Sequence, residues 1–140
     1  MIAYLDTSAL VPLLIAEPGT SAVRALWESS SRHLSSRLAV PESRAALARA
    51  SRVGRLDRST LRTAVAEADR VIDLLDLVEV SPAIATHAGE LALHLGLRGC
   101  DAVHLASAMA LADGDLVMAA GDRELLEAAL QVGLQVAAVG

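Results

Sequence analysis

Four carboxylates stand where chain geometry favours chemistry. Asp6 follows the apolar run Ile2-Ala3-Tyr4-Leu5, Asp122 lies just after a second apolar run at 116–119, Glu42 follows Pro41, and Asp101 follows Gly99-Cys100. Short apolar runs read as buried strands, and a proline or glycine next to an acid reads as the first turn of a helix. In open α/β sheets the site lies outside the carboxyl ends of the strands. Each acid taken singly has a plainer role, capping a helix or complementing its dipole. Gathered in one small pocket, the four could not all stay ionised without a counter-charge. A hard divalent cation, Mg²⁺ or Mn²⁺, is the natural one, because it takes oxygen ligands and keeps coordination positions for water and substrate phosphate. Such a site suits in-line hydrolysis of a phosphodiester, with one ion or with two about 4 Å apart.

Composition narrows the alternatives. The chain has 140 residues, 54% of them hydrophobic and 21% charged, which fits one globular domain spanning 1–140 and is too apolar for disorder. No run of 18 apolar residues spans a membrane, and no basic segment precedes the first apolar run, so a reducing cytoplasm is expected. All 12 basic residues are arginine, which removes lysine-based phosphate loops and Schiff-base chemistry. With no phenylalanine, one Trp and one Tyr, rows of stacked aromatics are excluded. The net charge of −5 conceals a basic stretch. Arg44, Arg49, Arg52, Arg55, Arg58 and Arg62 stand among a single acid, Asp57. Those arginines either bind phosphates along the rim of a site or form a solvated helical face. Arg44, two residues after Glu42, is the one placed to reach the pocket.

The elements that must position the acids follow from periodicity and punctuation. Strands are expected at 2–5, 33–38, 76–80, 116–119 and 134–139. Helices are expected at 10–15 with Thr7 or Ser8 as cap, 22–28, 42–53, 56–75, 82–95 behind the Ser81-Pro82 cap, 99–111 and 123–131. Short apolar strands alternating with helices indicate an α/β fold, a parallel sheet covered on both faces.

Four motifs carry a resemblance. Leu5-Asp6-Thr7-Ser8-Ala9-Leu10, Pro41-Glu42-Ser43-Arg44-Ala45-Ala46-Leu47, Asp101-Ala102-Val103-His104-Leu105-Ala106 and Gly121-Asp122-Arg123-Glu124-Leu125-Leu126 stand in the order and spacing of the PIN-domain family. The short chain resembles its toxin branch, the VapC-like ribonucleases of type II toxin–antitoxin pairs. The resemblance implies a three-layer α/β/α fold with sheet order 3-2-1-4-5 and a homodimer. It implies a Mg²⁺- or Mn²⁺-dependent endoribonuclease, acting on tRNA or ribosomal RNA loops and neutralised by a cognate antitoxin protein. Asp6, Glu42, Asp101 and Asp122 would be the metal-binding and catalytic carboxylates, supported by Thr7, Ser8 and His104, with Arg44, Arg49, Arg52 and Arg55 as RNA-binding candidates. One position departs from the family pattern. Ala120 stands where a hydroxyl residue often precedes the fourth acid, which leaves the orientation of Asp122 open.

The remaining reactive residues have plainer readings. His104 reads as a half-buried packing residue more readily than as an active-site donor. Cys100 reads as a buried small thiol, and His87 with His94 lack a third ligand for zinc. Trp27 and the apolar stripe over 61–75 suit core or dimer contacts, and Leu10, Val11, Leu13 and Leu14 suit either the core or an antitoxin groove. An aspartyl-phosphate enzyme would want an acid at Ser8 and a lysine. The alternative to a nuclease is a non-catalytic PIN-like scaffold that binds RNA or protein.

Overall fold

The computed structural model describes all 140 residues. Five strands, β1 (Ile2–Leu5), β2 (Arg32–Ser36), β3 (Asp76–Val78), β4 (Leu116–Ala120) and β5 (Gln135–Ala138), form one all-parallel sheet in the order β3-β2-β1-β4-β5. Seven helices connect them: α1 (Thr7–Leu14), α2 (Thr20–Ser29), α3 (Ala39–Arg52), α4 (Arg58–Leu74), α5 (Pro82–Leu95), α6 (Gly99–Ala110) and α7 (Arg123–Gln131). The chain leaves β1 for β2 on one side and returns later to β4 on the other. The switch in direction therefore falls between β1 and β4, where open α/β sheets place their sites. No helix is long and apolar enough to cross a membrane.

Alternation along the strands divides the core. Tyr4, Leu34, Met118 and Ala120 face the layer that holds α5, α6 and α7, where they meet Ala102, Leu105, Ala106 and Leu125. Ala3, Leu5 and Ala119 face the opposite layer and pack on Ala9, Leu10, Val23 and Val71 from α1, α2 and α4. Ile15, Leu47, Ala50, Ala64 and Ala68 form a satellite cluster that ties α3 and α4 to α1. The three-layer arrangement and the strand order match the expectation. Leu10 belongs to the core, at 1% exposure. The stripe over 61–75 is core as well through Ala64, Ala68, Val71 and Leu75.

Element starts differ from the sequence reading at two places that concern function. Asp6 itself, not Thr7 or Ser8, caps α1, so that helix begins a turn earlier than expected. The apolar periodicity starts only at Leu10, which hid a first turn made of hydroxyl residues. Helix α3 begins at Ala39, with Pro41 inside its first turn, where no intrahelical N–H is yet required. Glu42 is still in that first turn. Helix α5 follows the expected punctuation, from a Ser81 cap to Gly96 in the left-handed region at φ 67°.

Two glycines show how tightly the layers meet. A Cβ on Gly19, the residue before α2, would lie 1.7 Å from the Val139 carbonyl oxygen, whereas a Cβ on Gly89 in α5 meets nothing within 4 Å. Gly19→Ala must push backbone against backbone and is expected to destabilise by about 1–3 kcal/mol. Gly89→Ala is expected to stabilise by about 0.5–1 kcal/mol through helix propensity. Urea unfolding of the two variants beside the parent checks both signs.

Candidate active site

The end of β1 delivers Asp6 to the edge of the sheet, where its backbone N–H is held by the Ala119 carbonyl of β4 at 3.0 Å. The residue is only 4% exposed although it carries a carboxylate. Ser8 fixes it: the Ser8 N–H donates to Asp6 Oδ2 at 3.1 Å, and the Ser8 hydroxyl donates to the same oxygen. That hydroxyl also accepts from the Gly121 N–H at 2.8 Å. One serine thus locks the ends of β1 and β4 together across the switch point. Ala120 is wholly buried in the core and makes no contact of this kind.

Glu42 arrives from the first turn of α3. Its Oε1 accepts from the Thr7 hydroxyl at 2.8 Å and lies 2.7 Å from His104 Nε2. The same ring nitrogen is 3.5 Å from Asp6 Oδ1, so both carboxylates share one imidazole. On its far side, His104 Nδ1 lies 2.9 Å from the Tyr4 hydroxyl. His104 is fully buried. Burial opposes its charge, but the hydrogen bond to Glu42 and the charges of Asp6, Glu42 and Asp101 outweigh burial and raise its pKa above the ordinary 6.5. Burial likewise opposes ionisation of Glu42. Hydrogen bonds from His104 and Thr7, with the imidazolium charge, prevail and lower its pKa below the ordinary 4.5.

Asp101 and Asp122 form the second half. Asp101 lies in the first turn of α6, and Asp122 caps α7 by accepting from the Leu125 N–H at 3.2 Å. Capping answers the question left by Ala120, because the helix start itself orients Asp122. Arg98, just before α6, donates from Nε to Asp101 at 3.0 Å and from Nη2 to Asp122 at 3.4 Å. Burial raises the pKa of Asp101, the negative charges of Asp6 and Asp122 push the same way, and Arg98 only partly offsets them. Asp6 and Asp101 also act on His104, so the two halves form one electrostatic cluster. Beside it opens a groove of about 460 Å³, lined in part by Ser8, Glu17, Gly19, Gly121, Asp122 and Gly140.

The donor set suits a hard divalent cation. All four acids offer oxygen, they crowd one another enough to disfavour ionisation of Asp101, and Asp6 is rigidly aimed. No three of them converge closely enough to ligate one ion as they stand. Glu42 is drawn to His104, and the Asp101–Asp122 pair to Arg98.

The PIN-domain model matches residues 3–130. The chain belongs to the PIN-domain family. Ribonuclease VapC49 of Mycobacterium tuberculosis is 46% identical over 136 residues, covering 97% of this chain and 94% of that protein. Ribonuclease VapC46 of the same organism is 34% identical over 135 residues, 96% of this chain and 95% of the relative. Among solved structures, the M. tuberculosis toxin VapC20, which cleaves the sarcin-ricin loop, superposes with TM-score 0.70 at 20% identity, covering 90% of this chain and 94% of that one. At that identity the superposition speaks for the fold.

Within this PIN fold the expected acids come together, and so do Thr7, Ser8 and His104. The packing-residue reading of His104 is corrected: it is buried because it bridges carboxylates, not because it fills apolar space. Of the four candidate arginines, two are paired with acids. Arg44 turns away to Asp69 on α4 at 2.8 Å, and Arg55 pairs with Glu17 at 3.1 Å. Arg49 and Arg52 are exposed at the far end of α3. Cys100 is exposed, not buried, because the start of α6 lies on the rim of the site. Partial desolvation of the sulfur and the nearby Glu42 and Asp101 charges raise its pKa, so the thiol is no activated nucleophile. Trp27 stacks on His33 with ring centroids 3.8 Å apart. Arg98 and Tyr4 were missed. The spacing of Arg98, three residues before Asp101, was the available signal.

The His104–Glu42 contact makes stability depend on pH in a defined way. A raised His104 pKa adds stability that is full below its unfolded value near 6.5 and lost as pH rises through the folded value. A lowered Glu42 pKa adds stability present above its unfolded value near 4.5 and lost as pH falls through the folded value. The difference in urea midpoint between the parent and His104→Gln is therefore expected to be larger at a pH of about 5.5 than at about 8.5. A difference independent of pH would mean that folding leaves the His104 pKa unshifted, and a smaller difference at the lower pH would mean that the fold disfavours its charge.

Proposed function

We propose that this chain is a divalent-metal-dependent endoribonuclease, a toxin restrained by a cognate antitoxin protein. The placing of two carboxylate pairs, Asp6 with Glu42 and Asp101 with Asp122, at the switch point of the sheet carries the reading. It is supported by the 46% identity to a ribonuclease along nearly the whole chain. The likeness to VapBC2 of Rickettsia felis, with TM-score 0.68 over the full length of both chains at 14% identity, supports the shared fold of toxins of this kind. A single domain over 1–140, a homodimer and a cytoplasmic setting belong to the same reading.

Asp6, Glu42, Asp101 and Asp122 would hold Mg²⁺ or Mn²⁺, as one ion or two. An ion held there would supply charge neutralisation to a phosphate and a more acidic bound water. The protein supplies the rest. Ser8 holds Asp6 in one orientation, so its oxygen is aimed before any ligand arrives. The caps and first turns of α1, α3, α6 and α7 point their partial positive ends at the cluster, which favours anionic groups there. His104 keeps Glu42 ionised and, with the Tyr4 contact, fixes its own ring. The groove beside Asp122 offers a path for an RNA backbone to reach the acids. No Ser, Cys or His nucleophile is needed, since water attacks phosphorus and leaves a 5′-phosphate and a 3′-hydroxyl. The substrate reading is a loop of tRNA or ribosomal RNA.

Purified protein freed of antitoxin is expected to cut bacterial RNA at discrete positions with Mg²⁺ or Mn²⁺ and not with EDTA. Asp6→Asn should lower the rate at least 100-fold, and end mapping should find 5′-phosphates. RNA bound but uncut under every metal condition would favour the scaffold reading. Arg49 and Arg52, exposed and without a carboxylate partner, are the α3 arginines available to RNA phosphates. Replacing both with Gln is expected to flatten the slope of log affinity against log salt by about 0.7 per lost contact, while Arg44→Gln leaves it unchanged. An unchanged slope in the double variant would make the stripe a solvated face.

A further inference from the structure

Exposed arginines of this chain typically pair with one acid each. Arg32 pairs with Asp76, Arg37 with Glu79, Arg44 with Asp69 and Arg70 with Glu67, all away from the candidate site. Arg98 differs: it is the arginine that touches two carboxylates, and both belong to the site. Its side chain is 78% exposed, while the Asp101 and Asp122 side chains it bridges are 16% and 31% exposed. An exposed cation therefore sits on the solvent side of two half-buried anions.

The position is one a divalent cation would contest. An exposed guanidinium pair is weak because solvent screens it, and the contact to Asp122 is long at 3.4 Å. A divalent ion carries twice the charge, and the carboxylate oxygens that Arg98 engages are those an ion would need. A guanidinium and a divalent ion on the same two carboxylates repel, so each weakens the hold of the other. The guanidinium, once displaced, stays tethered at the rim of the site, where a planar fork of donors suits a phosphodiester oxygen pair. Resting on the metal-dependent reading above, we propose that Arg98 exchanges between two partners. It neutralises Asp101 and Asp122 until a divalent ion takes them, and is then free to bind the phosphate of the incoming RNA. Arg98 is thus a positioning residue for the ion and a binding residue for the substrate. It couples metal loading to RNA capture.

The exchange predicts opposite effects of one substitution on two ligands. Arg98→Gln removes the competing charge from an exposed position, where folding is not at stake. Mn²⁺ binding to the purified chain, followed by calorimetry, is expected to tighten at least fivefold in Arg98→Gln, with Arg98→Lys in between. At saturating Mn²⁺ the same variant is expected to raise KM for RNA at least fivefold, with kcat changed less than twofold. Mn²⁺ affinity that is unchanged or weakened in Arg98→Gln, or a KM that does not move, would overturn the exchange. A parent protein that binds no Mn²⁺, or an Asp6→Asn variant that binds it equally well, would instead overturn the metal-dependent reading on which the exchange rests.

Discussion

The crowding of negative charge at the carboxyl end of the sheet is the constraint that the rest of the molecule answers. Parallel strands with the order β3-β2-β1-β4-β5 bring the ends of β1 and β4 side by side, and each end is followed by an aspartate. Helices α3 and α6 then add an acid each from their first turns. Four like charges in so small a region repel, and burial makes each costlier to ionise. Three devices offset this. Helix starts supply partial positive charge. Hydrogen-bond donors such as Ser8, Thr7 and the Leu125 N–H satisfy carboxylate oxygens. Two basic side chains, His104 and Arg98, each bridge a pair of acids.

The two cations differ in how firmly they are held. His104 is enclosed by the core, with the Tyr4 hydroxyl on one nitrogen and Glu42 on the other. Its charge depends on its neighbours, and it cannot leave. Arg98 hangs in solvent by the end of a long side chain and keeps its charge whatever the pH. One half of the cluster therefore has a built-in counter-ion and the other a removable one. Each pair of acids is held by its own basic side chain.

The fold was legible in the sequence because its signals are local. Gly96 and Gly133, the Ser81-Pro82 cap and the apolar strands each mark a boundary without reference to the rest of the chain. The four acids were legible too, through their order and their places at strand ends and helix starts. Side-chain direction was not. Arg44 looked closest to the pocket by number, yet the turn of α3 sends it to Asp69 on α4. Cys100 looked buried by residue type, yet α6 starts at the rim of the site and leaves it exposed. His104 looked apolar by the company it keeps on α6. Its partners Tyr4 and Glu42 lie 100 and 62 residues away, and no periodicity within α6 reports them.

For these carboxylates the structural and functional readings are not rivals. Asp6 and Asp122 cap α1 and α7 through one oxygen each, Oδ2 in Asp6 and Oδ1 in Asp122. The other oxygen of each faces the cluster, Asp6 Oδ1 toward His104 and Asp122 Oδ2 toward Arg98. A cap is worth about 0.5–2 kcal/mol, so the fold itself holds each acid in its place and aims its free oxygen. The same logic explains why alanine is tolerated at 120. A hydroxyl there would have to hold Asp122 from the strand, and the start of α7 already holds it. Between the strands, Ser8 alone links the Asp6 carboxylate to the Gly121 backbone. The geometry of the cluster is therefore set by caps and by the hydroxyls of Ser8 and Thr7. Only its two bridging cations are left to decide when the acids are available.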